Sequence, residues 1–298
     1  MRYGVPYRGS KNKIAQWVIS NLPAGDTLVD LFAGGCAVTH AALLSGKWNR
    51  IIANDIGDAP QLFMDAVHGK YADEKRWISR EDFHRLKDSD TYVSLCWSFG
   101  NNRRDYLYSK EIEPWKKALH YARVFGDTSL LREFGINSDG SSKDIKPNNE
   151  EYKRLYSRWL GHQVKHKRLY DLDHLARLEN LERLQNLERL QMLEGLQSDY
   201  RDVRIPSNAV VYADPPYKRT NCTGYKCDFD YKAFEKWLSE VPFMVVVSEY
   251  EVPEGCLEVA SIKKQSSMGT GNKGGSDVEK LFVQERFAEQ YKQMTGRF

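Results

Sequence analysis

The order of apolar runs and glycine turns predicts an α/β fold, a mostly parallel sheet that carries an inserted, mainly helical domain. Three observations predict it. Thr27-Leu-Val-Asp-Leu-Phe32 leads into Ala33-Gly-Gly35, a helix-patterned segment and then Arg50-Ile-Ile-Ala-Asn-Asp55, the strand, turn, helix, strand order that opens a parallel sheet. The alternation resumes after residue 196 with Asn208-Ala-Val-Val-Tyr-Ala-Asp214 and Phe243-Met-Val-Val-Val-Ser-Glu249. The stretch between, residues 57–195, is rich in Arg, Lys, Tyr and Trp and lacks that alternation.

In chain order, Lys11 to Asn21 reads as a first helix, with Ile14, Trp17 and Val18 at i, i+3 and i+4. Pro23-Ala-Gly-Asp26 breaks it. The run 27–32 is a strand, Cys36 to Ser45 a helix, and 50–55 a strand that ends on an acid. Leucine then recurs at every third position from Leu172 to Leu196. At 3.6 residues per turn such a stripe winds around a helix, so the stretch is expected to be a connecting helix packed on two partners, not a heptad coiled coil. Asp230 to Glu240 is a helix with Phe234, Trp237 and Leu238 on one face, and 243–249 is apolar enough to be buried on both faces. Cys256 to Lys263 and Lys280 to Gln284 can pair as a terminal hairpin around the glycine- and serine-rich stretch 266–276.

Composition narrows the class. Hydrophobic residues make up 41% and charged residues 29% of the 298, as in ordinary globular proteins. The longest apolar run, Phe243 to Val247, is too short to span a membrane, and the N-terminus lacks the apolar stretch of a signal peptide. The expected compartment is therefore cytoplasmic, with no membrane partner. Five cysteines form no C-x-x-C pair, so neither a disulfide framework nor a zinc site is expected, and no metal is assigned. Net charge is only +3, yet residues 151–170 hold Lys153, Arg154, Arg158, Lys165, Lys167 and Arg168 against one acid, with aromatics interleaved. Local basic density of this kind is either a solvated face or a nucleic-acid surface.

Three motifs carry chemistry. Asp214-Pro-Pro-Tyr217 follows a predicted strand, where open α/β sheets place ligands. A carboxylate and a backbone carbonyl that each accept one hydrogen of an exocyclic amine localise its lone pair for attack. Asp214 can be the first acceptor and the Pro215 carbonyl the second, with Pro215 and Pro216 stiffening the turn and Tyr217 offering a flat face to a base. Asp30-Leu-Phe-Ala-Gly-Gly35 is a glycine turn that lets backbone approach a nucleoside cofactor, and Asp55 ends the next strand, where an acid can hold ribose hydroxyls. The absence of a full G-x-G-x-x-G argues against a nicotinamide dinucleotide. Tyr7-Arg-Gly-Ser-Lys11 precedes the first helix, and Lys11 can pair with a carboxylate there.

Together these residues resemble the Dam-type (D12 class, α-group) DNA adenine N6-methyltransferases. Tyr7-x-Gly9-x-Lys11, Asp30-x-Phe32-x-Gly34-Gly35, Asp55, a long insert and Asp214-Pro-Pro-Tyr217 stand in the family's order. The resemblance implies a Rossmann-like S-adenosylmethionine-dependent methyltransferase sheet, with residues 1–56 and 196–298 catalytic and 57–195 an inserted target-recognition domain. It implies S-adenosyl-L-methionine as cofactor, held by Tyr7, Gly9, Lys11, Asp30, Phe32, Gly34, Gly35, Asp55 and, by a looser match, Asp199. Its implied reaction is methylation at N6 of an adenine flipped out of double-stranded DNA, with Asp214, Pro215, Pro216 and Tyr217 at the base. Cys36 stands where many relatives have glycine. The insert also resembles a phage and mobile-element branch through Cys96-Trp-Ser-Phe-Gly-Asn-Asn102, which puts Asn101, Asn102, Arg103 and Arg104, with Lys165, Lys167 and Arg168, forward as DNA contacts; Asn can pair with adenine and Arg with guanine. Two rivals remain, a ribosomal RNA guanine-N2 methyltransferase that shares D-P-P-Y, and a catalytically silent DNA-binding protein on the same scaffold.

Overall fold

The structure, a computed structural model, describes residues 3–133, 172–186, 190–217, 229–264 and 277–297. The described elements are α1 (Ala15–Asn21), β1 (Thr27–Asp30), α2 (Ala37–Ser45), β2 (Arg50–Asp55), α3 (Ala59–Val67), α4 (Arg80–Leu86), α5 (Thr91–Cys96), α6 (Glu113–Phe125), α7 (Ser129–Arg132), α8 (Asp173–Glu182), β3 (Leu193–Gln197), β4 (Ala209–Ala213), α9 (Tyr231–Glu240), β5 (Val245–Glu249), β6 (Cys256–Lys264), β7 (Asp277–Gln284) and α10 (Ala288–Thr295), with short 3₁₀ turns between some of them. They form two compact units, residues 1–69 with 183–298, and residues 70–182.

The first unit is built on one seven-stranded sheet in the order β3-β2-β1-β4-β5-β7-β6. Strands β1 to β5 run parallel, and β7 lies antiparallel to both β5 and β6. This is the mostly parallel α/β sheet expected from the alternation of runs, closed by the anticipated hairpin. The central strands are buried on both faces, as Leu28, Val29, Val211, Val245 and Val247 show, which is why they read as unbroken apolar runs. Phe234 and Leu238 of α9 pack with Val29, Val211, Ala213 and Val247 in one core. The α9 N-terminus is capped by the Asp230 carboxylate, which accepts the Ala233 N–H at 3.0 Å.

Two expectations are corrected. The first helix begins at Ala15, not Lys11. Residues before it make turns, with the Ile14 N–H on the Lys11 carbonyl, so Lys11 does not sit at a helix N-terminus. The leucine stretch is not one connecting helix: α8 ends at Glu182, 3₁₀ turns follow at Arg183–Asn186 and Leu190–Met192, and Leu193–Gln197 is strand β3. A period of three matches the 3₁₀ repeat and cannot hold one face of an α-helix. Gly195 then lets β3 close on α3, since a Cβ there would lie 2.9 Å from Met64 Cγ.

In the second unit all the described regular elements are helices. Trp115, Ala118, Leu119 and Ala122 of α6 pack with Leu131 and Leu172. Among the described residues no helix is long and apolar enough to cross a membrane.

Candidate active site

Strands β1 and β4 are neighbours, with Asp30 opposite Tyr212 and the Leu31 N–H donating to the Tyr212 carbonyl at 2.9 Å. The glycine turn after β1 and the Asp214–Tyr217 segment after β4 therefore leave the same edge of the sheet. Strand order reverses between them, and such a switch point opens a crevice for a ligand. Asn54 Nδ2 ties this edge together by donating to the carbonyls of Leu31 and Ser198, each at 3.1 Å.

The glycine turn is tightly covered. Gly34 has φ +47, and a Cβ on it would lie 2.8 Å from Tyr7 Cε1; one on Gly35 would lie 2.5 Å from Tyr7 Cβ and 2.9 Å from the Val5 carbonyl. The Val5 N–H donates to the Gly35 carbonyl at 2.8 Å, which lays the N-terminal segment along the turn. Only glycine fits both positions. Cys36 closes the turn with φ 58, the left-handed conformation glycine takes at least cost. Asp55 is oriented by two backbone donors, the Gly34 N–H on Oδ2 at 2.9 Å and the Gly57 N–H on Oδ1 at 2.8 Å. Both carboxylate oxygens are thus fixed beside the turn.

The other residues of the cofactor pattern are in different states. Gly9 is exposed with φ +80. Asp30 is buried and accepts the Thr39 hydroxyl at 2.7 Å; burial pushes its carboxyl up to about 7. Phe32 lies tilted against Tyr200 and edge-on to Phe229 and Phe234, with ring centroids 5.2, 5.8 and 5.8 Å away. Asp199 pairs with Arg201 at 2.8 Å.

The Asp-Pro-Pro-Tyr turn ends in a polar cluster. Lys11 Nζ lies 2.7 Å from Asp214 Oδ1 and 3.4 Å from Glu279 Oε1. Glu279 is fully buried on β7 and also accepts the Tyr217 hydroxyl and, at 2.8 Å, the Ser248 hydroxyl. Lys11 Nζ sits 4.4 Å from the Tyr217 ring centroid, and Tyr250 meets that ring edge-on at 4.5 Å. Asp214 keeps 16% of its side-chain surface exposed. Burial raises its carboxyl, Lys11 pulls it back and Glu279 raises it again. Burial lowers the Lys11 ammonium, but Asp214 and Glu279 outweigh it and hold the group charged. A partly exposed carboxylate ahead of two prolines, beside a glycine turn and a fixed second acid, can grip an amino group and present it to a nucleoside-bound donor.

A model of the D12 class N6 adenine-specific DNA methyltransferases matches residues 7–254. The chain belongs to that family. A stretch of 53 residues is also 43% identical to the Type II methyltransferase M2.HphI of Haemophilus parahaemolyticus, covering 17% of this chain and 15% of that enzyme. The D12 class match begins at Tyr7 and takes in both turns of the crevice.

For this D12 class chain the structure brings Tyr7, Gly34, Gly35 and Asp55 together, and sets Lys11, Asp214 and Tyr217 beside one another. Glu279 and Ser248 were not among the sequence candidates. For Glu279 the signal was strand parity: it shares a face with Leu281 and Val283, and a charge in such a run has to find a buried partner. In the other unit Asn101 Nδ2 donates to the Leu95 carbonyl at 2.8 Å, and Asn102 Oδ1 accepts the N–H groups of Arg104 and Asp105 at 2.9 Å each. Arg104 pairs with Asp105 at 2.8 Å, and Asn101 and Arg103 have φ 57 and 58. The two asparagines thus build a tight loop, which carries the exposed Phe99 and Arg104. Lys165, Lys167 and Arg168 lie outside the described residues. Among the described residues no group of three or more His, Cys, Asp or Glu is placed to hold a metal ion.

Proposed function

We propose that this chain transfers a methyl group from S-adenosyl-L-methionine to N6 of an adenine flipped out of double-stranded DNA. The observation that carries the reading is Asp214 on its proline turn, partly exposed and one strand away from the glycine turn that Tyr7 and Asp55 flank. The cradle fits the cofactor. Two glycines admit no side chain against Tyr7, and Asp55 presents an oriented carboxylate suited to ribose hydroxyls. Tyr7, Gly34, Gly35 and Asp55 would hold the nucleoside part, and S-adenosylmethionine supplies a sulfonium-bound methyl group when bound.

The chain's own residues do the rest. Asp214 accepts one N6 hydrogen and the Pro215 carbonyl the other, so the lone pair points at the donor. As the new N–C bond forms, the negative carboxylate stabilises charge growing on nitrogen, and Asp214 then takes the proton that the methylated amine sheds. Lys11 holds Asp214 in place. Tyr217, anchored through its hydroxyl, walls the base pocket. Residues 70–182 serve target recognition, with Arg103 and Arg104 at phosphates or base edges and flipping costing a few kcal/mol. Lys165, Lys167 and Arg168 are proposed to join them there.

Transfer of labelled methyl groups from S-adenosylmethionine to duplex DNA, followed by mapping of the modified base, tests this. The wild-type chain should yield N6-methyladenine, and Asp214→Ala should lose at least about 100-fold in kcat. Label on RNA alone, or equal rates for the two proteins, would end the reading.

A further inference from the structure

We propose that Glu279 is a positioning residue for methyl transfer, its carboxylate sharing Lys11 with Asp214 and anchoring the Tyr217 hydroxyl, so that Asp214 faces the adenine with undiminished negative charge. The inference rests on the activity proposed above and deepens it.

Glu279 lies on β7, an antiparallel strand far along the chain from both motifs of the crevice, and is fully buried. Its Oε1 gathers three donors from three parts of the first unit. Lys11 Nζ comes from the N-terminal segment at 3.4 Å, the Ser248 hydroxyl from β5 at 2.8 Å, and the Tyr217 hydroxyl from the proline turn. Tyr217 also lies 3.2 Å from Ser248 Oγ. Burying a carboxylate is expensive, and the cost is offset only by donors of this number and quality.

Charge explains why a second acid stands here. Asp214 alone neutralises Lys11, since the two are 2.7 Å apart. Adding Glu279 makes two carboxylates for one ammonium, an excess of one negative charge inside the protein. An excess of that sign destabilises the resting fold and stabilises a centre that becomes positive, as N6 does when it takes the methyl group. Without Glu279 the ammonium is the undivided counter-ion of Asp214 and damps its strength as an acceptor. The same oxygen fixes the far end of Tyr217, whose ring lies under Lys11, so base wall and acid are held by one group. The charged and titratable groups that act on Asp214 are Lys11, Glu279 and Tyr217, with Asp30 at the end of β1 and Tyr212 on its own strand.

Glu279→Gln keeps the shape and the acceptor for both hydroxyls and removes only the charge. The expected result is a fall in kcat of about tenfold or more, with affinities for S-adenosylmethionine and duplex DNA within about twofold. The acid limb of the kcat profile should move to lower pH, because Lys11 then acts on Asp214 alone. A merely structural role would move affinity and folding and leave that limb in place. Should the glutamine variant not fold, Glu279→Met offers a second neutral side chain and the same readouts. Wild-type kcat with an unmoved acid limb in the folded variant overturns the positioning role, as does a loss confined to binding. A wild-type chain that fails to methylate DNA overturns the activity itself, so the two failures are told apart.

Discussion

Lys11 and Asp214 form an ion pair 2.7 Å long at the sheet edge, and Lys11 brings no helix N-terminus with it because α1 starts only at Ala15. We propose that through this pairing the ammonium steadies Asp214; its motif suggests instead a contact to the cofactor's carboxylate.

Lys11→Met therefore separates the two roles. With the ammonium gone, only the Tyr217 hydroxyl still opposes burial and Glu279 at Asp214, and its carboxyl rises further. A raised carboxyl is protonated at higher pH, so the acid limb of activity should move up and the rate loss should be larger near pH 6 than near pH 8. Calorimetric affinity for S-adenosylmethionine should stay within about fivefold. A collapse of that affinity with an unmoved acid limb would return Lys11 to the cofactor.

The two glycines of the cradle should differ when substituted. A Cβ on Gly35 meets the Val5 carbonyl at 2.9 Å and Tyr7 Cβ at 2.5 Å, groups tied to backbone, whereas on Gly34 it meets the Tyr7 ring, which can turn aside. Gly35→Ala should thus lower stability by about 1–3 kcal/mol, seen as a lower urea midpoint. Gly34→Ala should fold better and instead weaken cofactor binding by displacing Tyr7, although its φ of +47 adds strain. Equal urea midpoints for both variants would contradict this ranking.

How far the sequence was legible follows from where each signal resides. Strands buried on both faces announced themselves as apolar runs, so β1, β2, β4 and β5 could be read directly, whereas the neighbourhood of β1 and β4 is set by the sheet order. β3 could not, because Leu193–Gln197 continues a leucine period shared with the helix and 3₁₀ turns before it, and its burial alternates. Local motifs named Asp214, Tyr217 and the glycine turn. Glu279 and Ser248 carry no motif, and they join the cluster only through strand pairing, Ser248 opposite Leu281 on β7. Asn101 and Asn102 read as base-contact types; Asn101 Nδ2 donates to the Leu95 carbonyl of α5, and Asn102 bonds the Arg104 and Asp105 N–H groups and the Asp105 carboxylate.

His174 is buried and stacks on Trp97 at 4.1 Å. Its Nδ1 lies 2.7 Å from the Tyr108 hydroxyl and its Nε2 2.9 Å from His120 Nδ1, and His120 Nε2 lies 3.0 Å from the Lys75 carbonyl. A carbonyl only accepts, so His120 carries its hydrogen on Nε2 and accepts on Nδ1. His174 then donates from Nε2 and accepts from Tyr108, and both rings are neutral. Burial lowers His174 most, with His120, Arg177, Lys116 and Arg123 adding to it; burial also lowers His120, against the Lys75 carbonyl and Glu74. A group whose folded pKa is depressed takes up its proton on unfolding. Stability is full above the unfolded value of about 6.5 and falls as pH drops below it, by up to about 1.4 kcal/mol per pH unit for each such histidine. Urea midpoints followed by tryptophan fluorescence should fall between about pH 7.5 and pH 5, since Trp77 and Trp97 flank the pair. His174→Phe should cost stability at neutral pH and flatten the decline, because it removes a ring that protonates on unfolding while leaving the unit's carboxylates unchanged. A decline just as steep in that variant would show that other groups set the acid sensitivity of the unit.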